Sequence, residues 1–287
     1  MKMDYDFDHR PITIVGAGTL GRRMALVLST RGSEVRIFDK NQKAGDDAVK
    51  YIAERLPRVL SRVPGGTPAK VVAADDLSKA VADAWIVFEV VPEHLELKKE
   101  LFGELDSLSP GDAILASNSS SYPASQFIDR VKRPERVLNT HFFMPPDNLA
   151  VELMSCGKTD PAVIDLLMTR FPLYGLAPFR VLKESVGLIF NRIWAAIKRE
   201  SLAVVAEGVS TPADVDRIWT VCVGTKSGPF RAMDYVGLDV VLDIEEHYAG
   251  IREGIPEGPR KLLRSYLDKG WKGRKSGRGF YDDYPLR

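Results

Sequence analysis

Cysteine is scarce in this 287-residue chain: Cys156 and Cys222 are the whole supply, 66 positions apart. That spacing makes no metal-binding pair and no disulfide framework, and it fits a reducing compartment. Charge imbalance is missing too. Lys and Arg number 40 against 39 Asp and Glu, a net charge of +1, so no electrostatic footprint for nucleic acid stands out. No apolar stretch approaches the roughly 18 residues of a membrane span. The start, MKMDYDFDHR, is acidic, which argues against a secretory signal and against an Arg-rich transit peptide. The Pro-Leu-Arg end is not the peroxisomal tripeptide. The expectation is a cytoplasmic protein with no membrane and no nucleic-acid partner. Histidine is also rare, four in all, which draws attention to the one in NTHFFMPPDNLAVELM.

What is present begins with 45% apolar residues, enough to bury the core of one large or two ordinary domains. Ile12 to Val15 reads as a short buried strand. Gly16, Gly18 and Gly21 follow in G-x-G-x-x-G spacing, with Thr19 and Leu20 inside the turn. A helical pattern over Met24 to Thr30 and a second strand over Glu34 to Phe38 come next. In such a unit the first glycine allows the tight turn, the second admits a pyrophosphate to the backbone, and the third lets helix and sheet pack closely. The helix N-terminus offers free N–H groups to the phosphates. Asp39 stands 18 residues after Gly21, where a carboxylate accepts hydrogen bonds from the adenosine ribose and repels a 2′-phosphate. NAD is therefore expected over NADP, a preference softened by Lys40 and Lys43.

Residues 41–70 read as a helical, partly basic excursion. Its Lys50, Arg55, Arg58 and Arg62 form either a cationic rim or a solvated helix face. AWIVFEVV (84–91) is a buried-strand run. PEHLELKKELFGELDSL is an amphipathic helix, DAILASNSSS a strand opening into a hydroxyl-rich loop, and RVLNTHFFMPP a strand ending at His141. Strands alternating with helices imply a Rossmann-type doubly wound parallel sheet. Ligands bind beyond the carboxyl ends of such strands. The acid after IVF, the polar loop after AILA and the histidine after VLNT all fall at those ends, so they read as one site.

Strand signals stop at about residue 182. ESVGLIFNRIWAAIKRESLAVVAEG reads as a long apolar helix with Ile189, Phe190, Ile193 and Ile197 in a stripe. Asn191 within it is either a satisfied core amide or a group pointing into a site. Thr211 is a good N-cap. GPFRAMDYVGLDVVLDIEEHYAG and GPRKLLRSYLDKG are further helical segments. KGWKGRKSGR (269–278) is a basic cluster, read equally as a solvated loop or an anion contact. The expected organisation is a dinucleotide-binding domain over 1–183 and a smaller all-α domain over 184–287.

Seven stretches in the same order, GAGTLG, VPEHLELKKELF, ASNSSS, THFFMPP with VELM, GLIFNR, GPFRAMDYVGLD and GRKSGRGFY, resemble the 3-hydroxyacyl-CoA dehydrogenase family over nearly the whole chain. The resemblance implies an NAD-dependent enzyme of fatty acid metabolism that dimerises through its helical domain. By position it makes His141 the general base and Glu152 its orienting acid. Ser120 and Asn191 would hydrogen-bond substrate oxygens. Glu93, Lys98 and Lys275 would touch the cofactor, and Asn118 would organise the serine loop. The residue types suit the chemistry. Oxidising a secondary alcohol sends a hydride to nicotinamide and a proton to a base. An imidazole titrates near neutrality, and a carboxylate on its other nitrogen fixes the tautomer and stabilises the imidazolium. Hydroxyl and amide donors steady charge on the reacting oxygen.

Some positions depart from the family pattern. Met144 stands where an Asn that approaches the nicotinamide end is usual. The His-to-Glu spacing of 11 is one residue short, Val186-Gly187 replaces Pro-Gly, and the 41–70 excursion is short. VPEHLELKKELF and ESVGLIFNR are also similar to the L-gulonate 3-dehydrogenase (lambda-crystallin) branch. Met144 leaves room for reduction of an imine or other secondary-metabolite carbonyl, which nothing in the sequence favours specifically, and three further readings stand. The leading one is a dehydrogenase of a 3-hydroxyacyl thioester, a CoA ester first. The second is a dehydrogenase of a polar hydroxy acid without CoA, such as L-gulonate. The third is a redox-silent NAD-binding structural protein.

Overall fold

The computed structural model describes residues 6–284 apart from residue 8. The first five residues and the Pro-Leu-Arg end lie outside the described residues. The chain divides into two compact units, Met1–Ile189 and Phe190–Arg287, so the division falls at Ile189 where the sequence reading places it after 183.

The first unit is built on one eight-stranded sheet. Its strands are β1 (Ile12–Val15), β2 (Glu34–Phe38), β3 (Lys70–Ala74), β4 (Ile86–Glu89), β5 (Ile114–Ser117), β6 (Val137–Phe142), β7 (Ala150–Ser155) and β8 (Ala177–Val181). The spatial order is β3-β2-β1-β4-β5-β6-β7-β8, and the first six strands run parallel. The six-strand order is that of a doubly wound dinucleotide fold. Strands β1, β4, β5 and β6 are buried at every position, because helices cover both faces. Successive side chains alternate between the faces. Ile14, Phe88 and Phe142 join Met24, Val27 and Ile52 in one apolar layer. Val15, Val87 and Leu115 join Phe102, Leu105 and Phe127 in the other. Burying one such side chain contributes about 1.5–3 kcal/mol.

The covering helices are α1 (Thr19–Leu28), α2 (Gln42–Leu60), α3 (Leu77–Val81), α4 (Leu95–Leu108) and α5 (Pro161–Arg170). The helical excursion expected over 41–70 is α2 followed by a turn and then β3, which the sequence reading passes over. In β3 a bare run of valine and alanine lies half-buried at the sheet edge, where periodicity is weak. Strand β7 is the larger surprise. It runs antiparallel to β6, so the sheet is parallel across six strands and turns back at its last two.

The second unit is all helical: α6 (Phe190–Ala206), α7 (Pro212–Val223), α8 (Pro229–Val236), α9 (Leu238–Ile251) and α10 (Gly258–Leu267). Leu202, Phe230, Met233, Leu238, Val241 and Leu263 form its core. Thr211 caps α7, its hydroxyl accepting from the Asp214 N–H at 3.2 Å. Helix α6 starts at Phe190, later than the apolar pattern indicates, because Gly187 (φ +76°) and Leu188 (φ +48°) turn the chain first. The apolar stripe is largely outward: Phe190 and Ile193 are exposed, and α6 buries Ala195, Lys198, Ser201 and Leu202.

Candidate active site

The carboxyl ends of β1, β4, β5 and β6 open into a cleft of about 1060 Å³ lined by residues of the first unit. Gly16 follows β1 with φ +114°, and a Cβ there would stand 2.4 Å from the Val90 carbonyl oxygen. At Gly21 a Cβ would meet the Gly16 oxygen at 1.9 Å, so helix α1 sits directly against the turn. At Gly18 a Cβ would meet nothing within 4 Å, which leaves room for a phosphate. No side chain caps α1 at Gly18, so its first N–H groups face the cleft beside Thr19 and Leu20. Asp39 follows β2. One of its oxygens accepts the Ala17 N–H at 2.7 Å and the other the Asn41 N–H at 2.9 Å. The same carboxylate therefore shapes the glycine turn and lines that end of the cleft. This cradle fits an extended dinucleotide.

At the other side, β6 and β7 put His141 directly opposite Glu152 in register. Nδ1 lies 2.9 Å from Oε2, and both groups are buried, at 7% and 2% exposed. The other carboxylate oxygen accepts the Ile189 N–H at 2.8 Å. Glu152 thus has one oxygen on the imidazole and one on the chain segment that ends the first unit. With Nδ1 turned to the carboxylate, the ring's other nitrogen is left for the cleft that His141 lines. Phe143 packs on the imidazole with centroids 4.6 Å apart. Met144 is 44% exposed on the cleft wall. Its carbonyl accepts the Asp147 and Asn148 N–H groups, closing the turn.

Between these ends lies the serine loop. Ser120 lines the cleft, and its N–H reaches Glu93 Oε1 at 3.3 Å. Asn118 lines the cleft, and its Oδ1 accepts the Phe142 N–H at 2.8 Å, fastening the start of the loop to the end of β6 next to His141. The residue that holds the loop is Asn139. Its Oδ1 accepts the Ala124 N–H, and its amide nitrogen donates to the Ser119 and Tyr122 carbonyls. Nothing short of its place in β6, in register with Ser117, marks it in the sequence. Lys98 and Glu93 both line the cleft, and the Lys98 ammonium is held by Glu89 at 2.8 Å and Glu93 at 3.3 Å. Asn191 lies in the first turn of α6 and Lys275 pairs with Asp239 at 2.6 Å, both within the second unit.

A glycine turn on a parallel sheet, an acid closing the second strand and a carboxylate-backed histidine on the same rim define a nicotinamide-dependent oxidoreductase. The sequence patterns of two consecutive domains bear this out: that of the 3-hydroxyacyl-CoA dehydrogenase NAD binding domain matches residues 11–185, and that of the C-terminal domain matches residues 187–283. The chain belongs to the 3-hydroxyacyl-CoA dehydrogenase family, and NAD is its cofactor. It is 31% identical over 282 residues to the probable 3-hydroxybutyryl-CoA dehydrogenase of Bacillus subtilis, covering 95% of this chain and 97% of that one. It is 30% identical over 280 residues to the 5-formyl-3-hydroxy-2-methylpyridine 4-carboxylate 5-dehydrogenase of Mesorhizobium japonicum, covering 95% and 90%. The crystal structure of (S)-3-hydroxybutyryl-CoA dehydrogenase from Ralstonia eutropha is similar with a TM-score of 0.83 and 27% identity, over 97% of this chain and 99% of that one. Among the described residues, no helix is long and apolar enough to cross a membrane.

Proposed function

We propose that the protein interconverts a 3-hydroxyacyl thioester, a CoA ester first, and its 3-keto form, with His141 moving the substrate proton. The observation that carries this reading is the buried His141–Glu152 pair at 2.9 Å on the rim of the dinucleotide cleft. Bound NAD supplies the hydride acceptor or donor. The Glu152 carboxylate keeps the Nδ1–H tautomer, so the opposite nitrogen takes the hydroxyl proton on oxidation and returns it on reduction. Ser120 donates to the reacting oxygen as charge develops. Gly16, Gly18, Thr19, Leu20 and Gly21 hold the pyrophosphate, Asp39 the adenosine ribose, and Glu93 and Lys98 the nicotinamide half. Asn118 keeps His141 in place through Phe142. For Asn191 and Lys275 the family resemblance assigns a substrate contact and a cofactor contact, tested by the KM of Asn191→Ala and the NAD affinity of Lys275→Ala.

A second reading, oxidation of a polar acid without CoA, draws support from Met144 and from the relative named as a pyridine carboxylate dehydrogenase. A substrate panel read by NADH absorbance separates the two: turnover with acetoacetyl-CoA and none with gulonate or 3-hydroxybutyrate supports the thioester, and the reverse supports the free acid. NAD binding without turnover across the panel would favour a redox-silent protein.

We also propose a homodimer formed by the second unit, since Ile218, Val221, Val223, Tyr235 and Val236 leave its helices with exposed apolar surface. Sedimentation at micromolar concentration tests it. A cytoplasmic place in fatty acid metabolism accords with the free Cys156 and Cys222 and with the thioester reading.

A further inference from the structure

The sheet order fixes the direction in which a dinucleotide lies. Asp39 follows β2 and the glycine turn follows β1, so the adenosine half and the pyrophosphate occupy that side. The remaining half must run over the ends of β4 and β5 towards His141 on β6. Neighbouring strands lie about 4.8 Å apart, so the wall at β4 and β5 is where the nicotinamide ring passes.

That wall carries an ionic network centred on the acid that follows IVF in the sequence. Glu89, the last residue of β4, is fully buried and lines the cleft. Its Oε1 receives the Lys98 ammonium at 2.8 Å and the Val91 N–H at 2.9 Å, and its Oε2 receives the Ser117 hydroxyl at 2.6 Å. Lys98, itself 1% exposed, also touches Glu93 at 3.3 Å. Glu93 in turn accepts the Ser119 hydroxyl at 2.9 Å. Lys98 against Glu93 alone would make a neutral pair. Glu89 adds a second carboxylate to one ammonium, and the network is left with one net negative charge. Glu89 and Lys98 are withdrawn from water, so their charges are weakly screened, while the Glu93 side chain is 40% exposed. Glu100 and Glu104 also line the cleft, but from the exposed face of α4.

We propose that the Glu89–Lys98–Glu93 network makes the cleft discriminate the oxidised from the reduced dinucleotide, Glu89 acting as the positioning residue that sets its net charge. The oxidised nicotinamide ring is a cation and the reduced ring is neutral, so a negative wall favours the first. Loss of one carboxylate removes the preference while the other contacts to the dinucleotide are shared by both forms. The inference rests on the NAD reading of this cleft.

The test is the ratio of dissociation constants for NADH and NAD+, measured by titration calorimetry in wild type, Glu89→Gln, Glu93→Gln and Glu93→Asp at low and moderate salt. The expected result is a fall in that ratio of about three- to ten-fold in both Gln variants, with Glu93→Asp holding near wild type. Glu93 is partly exposed, so Glu93→Gln carries the test if Glu89→Gln does not fold. Equal weakening of both forms, with the ratio unchanged, would overturn the proposal and leave the NAD reading standing. Failure of the wild type to bind either form would overturn both.

Discussion

His141 and Glu152 face each other across β6 and β7 as register partners, with Nδ1 2.9 Å from Oε2. Their spacing of 11 residues is therefore the span of an antiparallel turn, Phe143 to Leu149, and not a helical or loop accident. Met144 closes that turn through its carbonyl. The strands on either side keep their pairing. Glu152→Gln preserves shape and removes the charge that steadies an imidazolium. It should lower kcat by about 10²–10⁴ with NAD affinity unchanged. A loss under three-fold would reduce the carboxylate to a packing group.

The glycine turn separates folding from binding. Gly21→Ala forces a Cβ to within 1.9 Å of the Gly16 oxygen. It should cost about 1–3 kcal/mol in urea unfolding. Gly18→Ala meets no atom within 4 Å, so its stability should stay within about 1 kcal/mol of wild type while NAD affinity drops. Unchanged NAD affinity in Gly18→Ala would mean that the Gly18 space is not a phosphate seat.

Asp39→Ala should weaken NAD binding about ten-fold or more through lost charged hydrogen bonds and narrow the gap between NAD and NADP. Loosening of the turn, through the lost Ala17 contact, would weaken both cofactors alike. The NADP-to-NAD ratio is thus the informative quantity, and an unchanged ratio would remove Asp39 from ribose recognition.

Away from the cleft, Asp106 and Arg136 form a buried pair at 2.8 Å. Burial alone would raise the Asp106 carboxyl, but the Arg136 guanidinium and the Lys132 N–H outweigh it and hold the group below its usual range. Burial acts downward on Arg136, partly offset by Asp106, yet a guanidinium stays charged at any working pH. A carboxyl depressed in the folded state stabilises above its unfolded value, about 3.9, and loses that contribution as pH falls through the folded one. Asp106→Asn should therefore cost about 3–5 kcal/mol near neutrality, shrinking below about pH 4. Urea midpoints at pH 7 and pH 3 check this, and a constant difference would contradict it.

Much of this site was legible as residues, and less of it as geometry. Gly16, Gly18, Gly21 and Asp39 announce themselves because a phosphate turn tolerates few alternatives at each position. His141 was marked by rarity and by its strand end. The antiparallel β7 was not visible, because an apolar run with one acid says nothing about direction. Glu89 was read as an acid at a strand end without its partners, and Asn139 was not assigned, for a related reason. Each gains its meaning from neighbours brought in by the parallel register of β4, β5 and β6, which periodicity does not encode. The stripe of Ile189, Phe190 and Ile193 is largely surface, since helical pattern records an apolar face without recording what covers it.

The most direct measurement is single-turnover oxidation of NADH with acetoacetyl-CoA in wild type and in His141→Gln, with NADH affinity determined on the same samples. Proton transfer by His141 predicts a rate lower by about 10²–10⁴ in the variant and an NADH affinity within two-fold of wild type. A variant that reduces the substrate at a rate within a few-fold of wild type would contradict it.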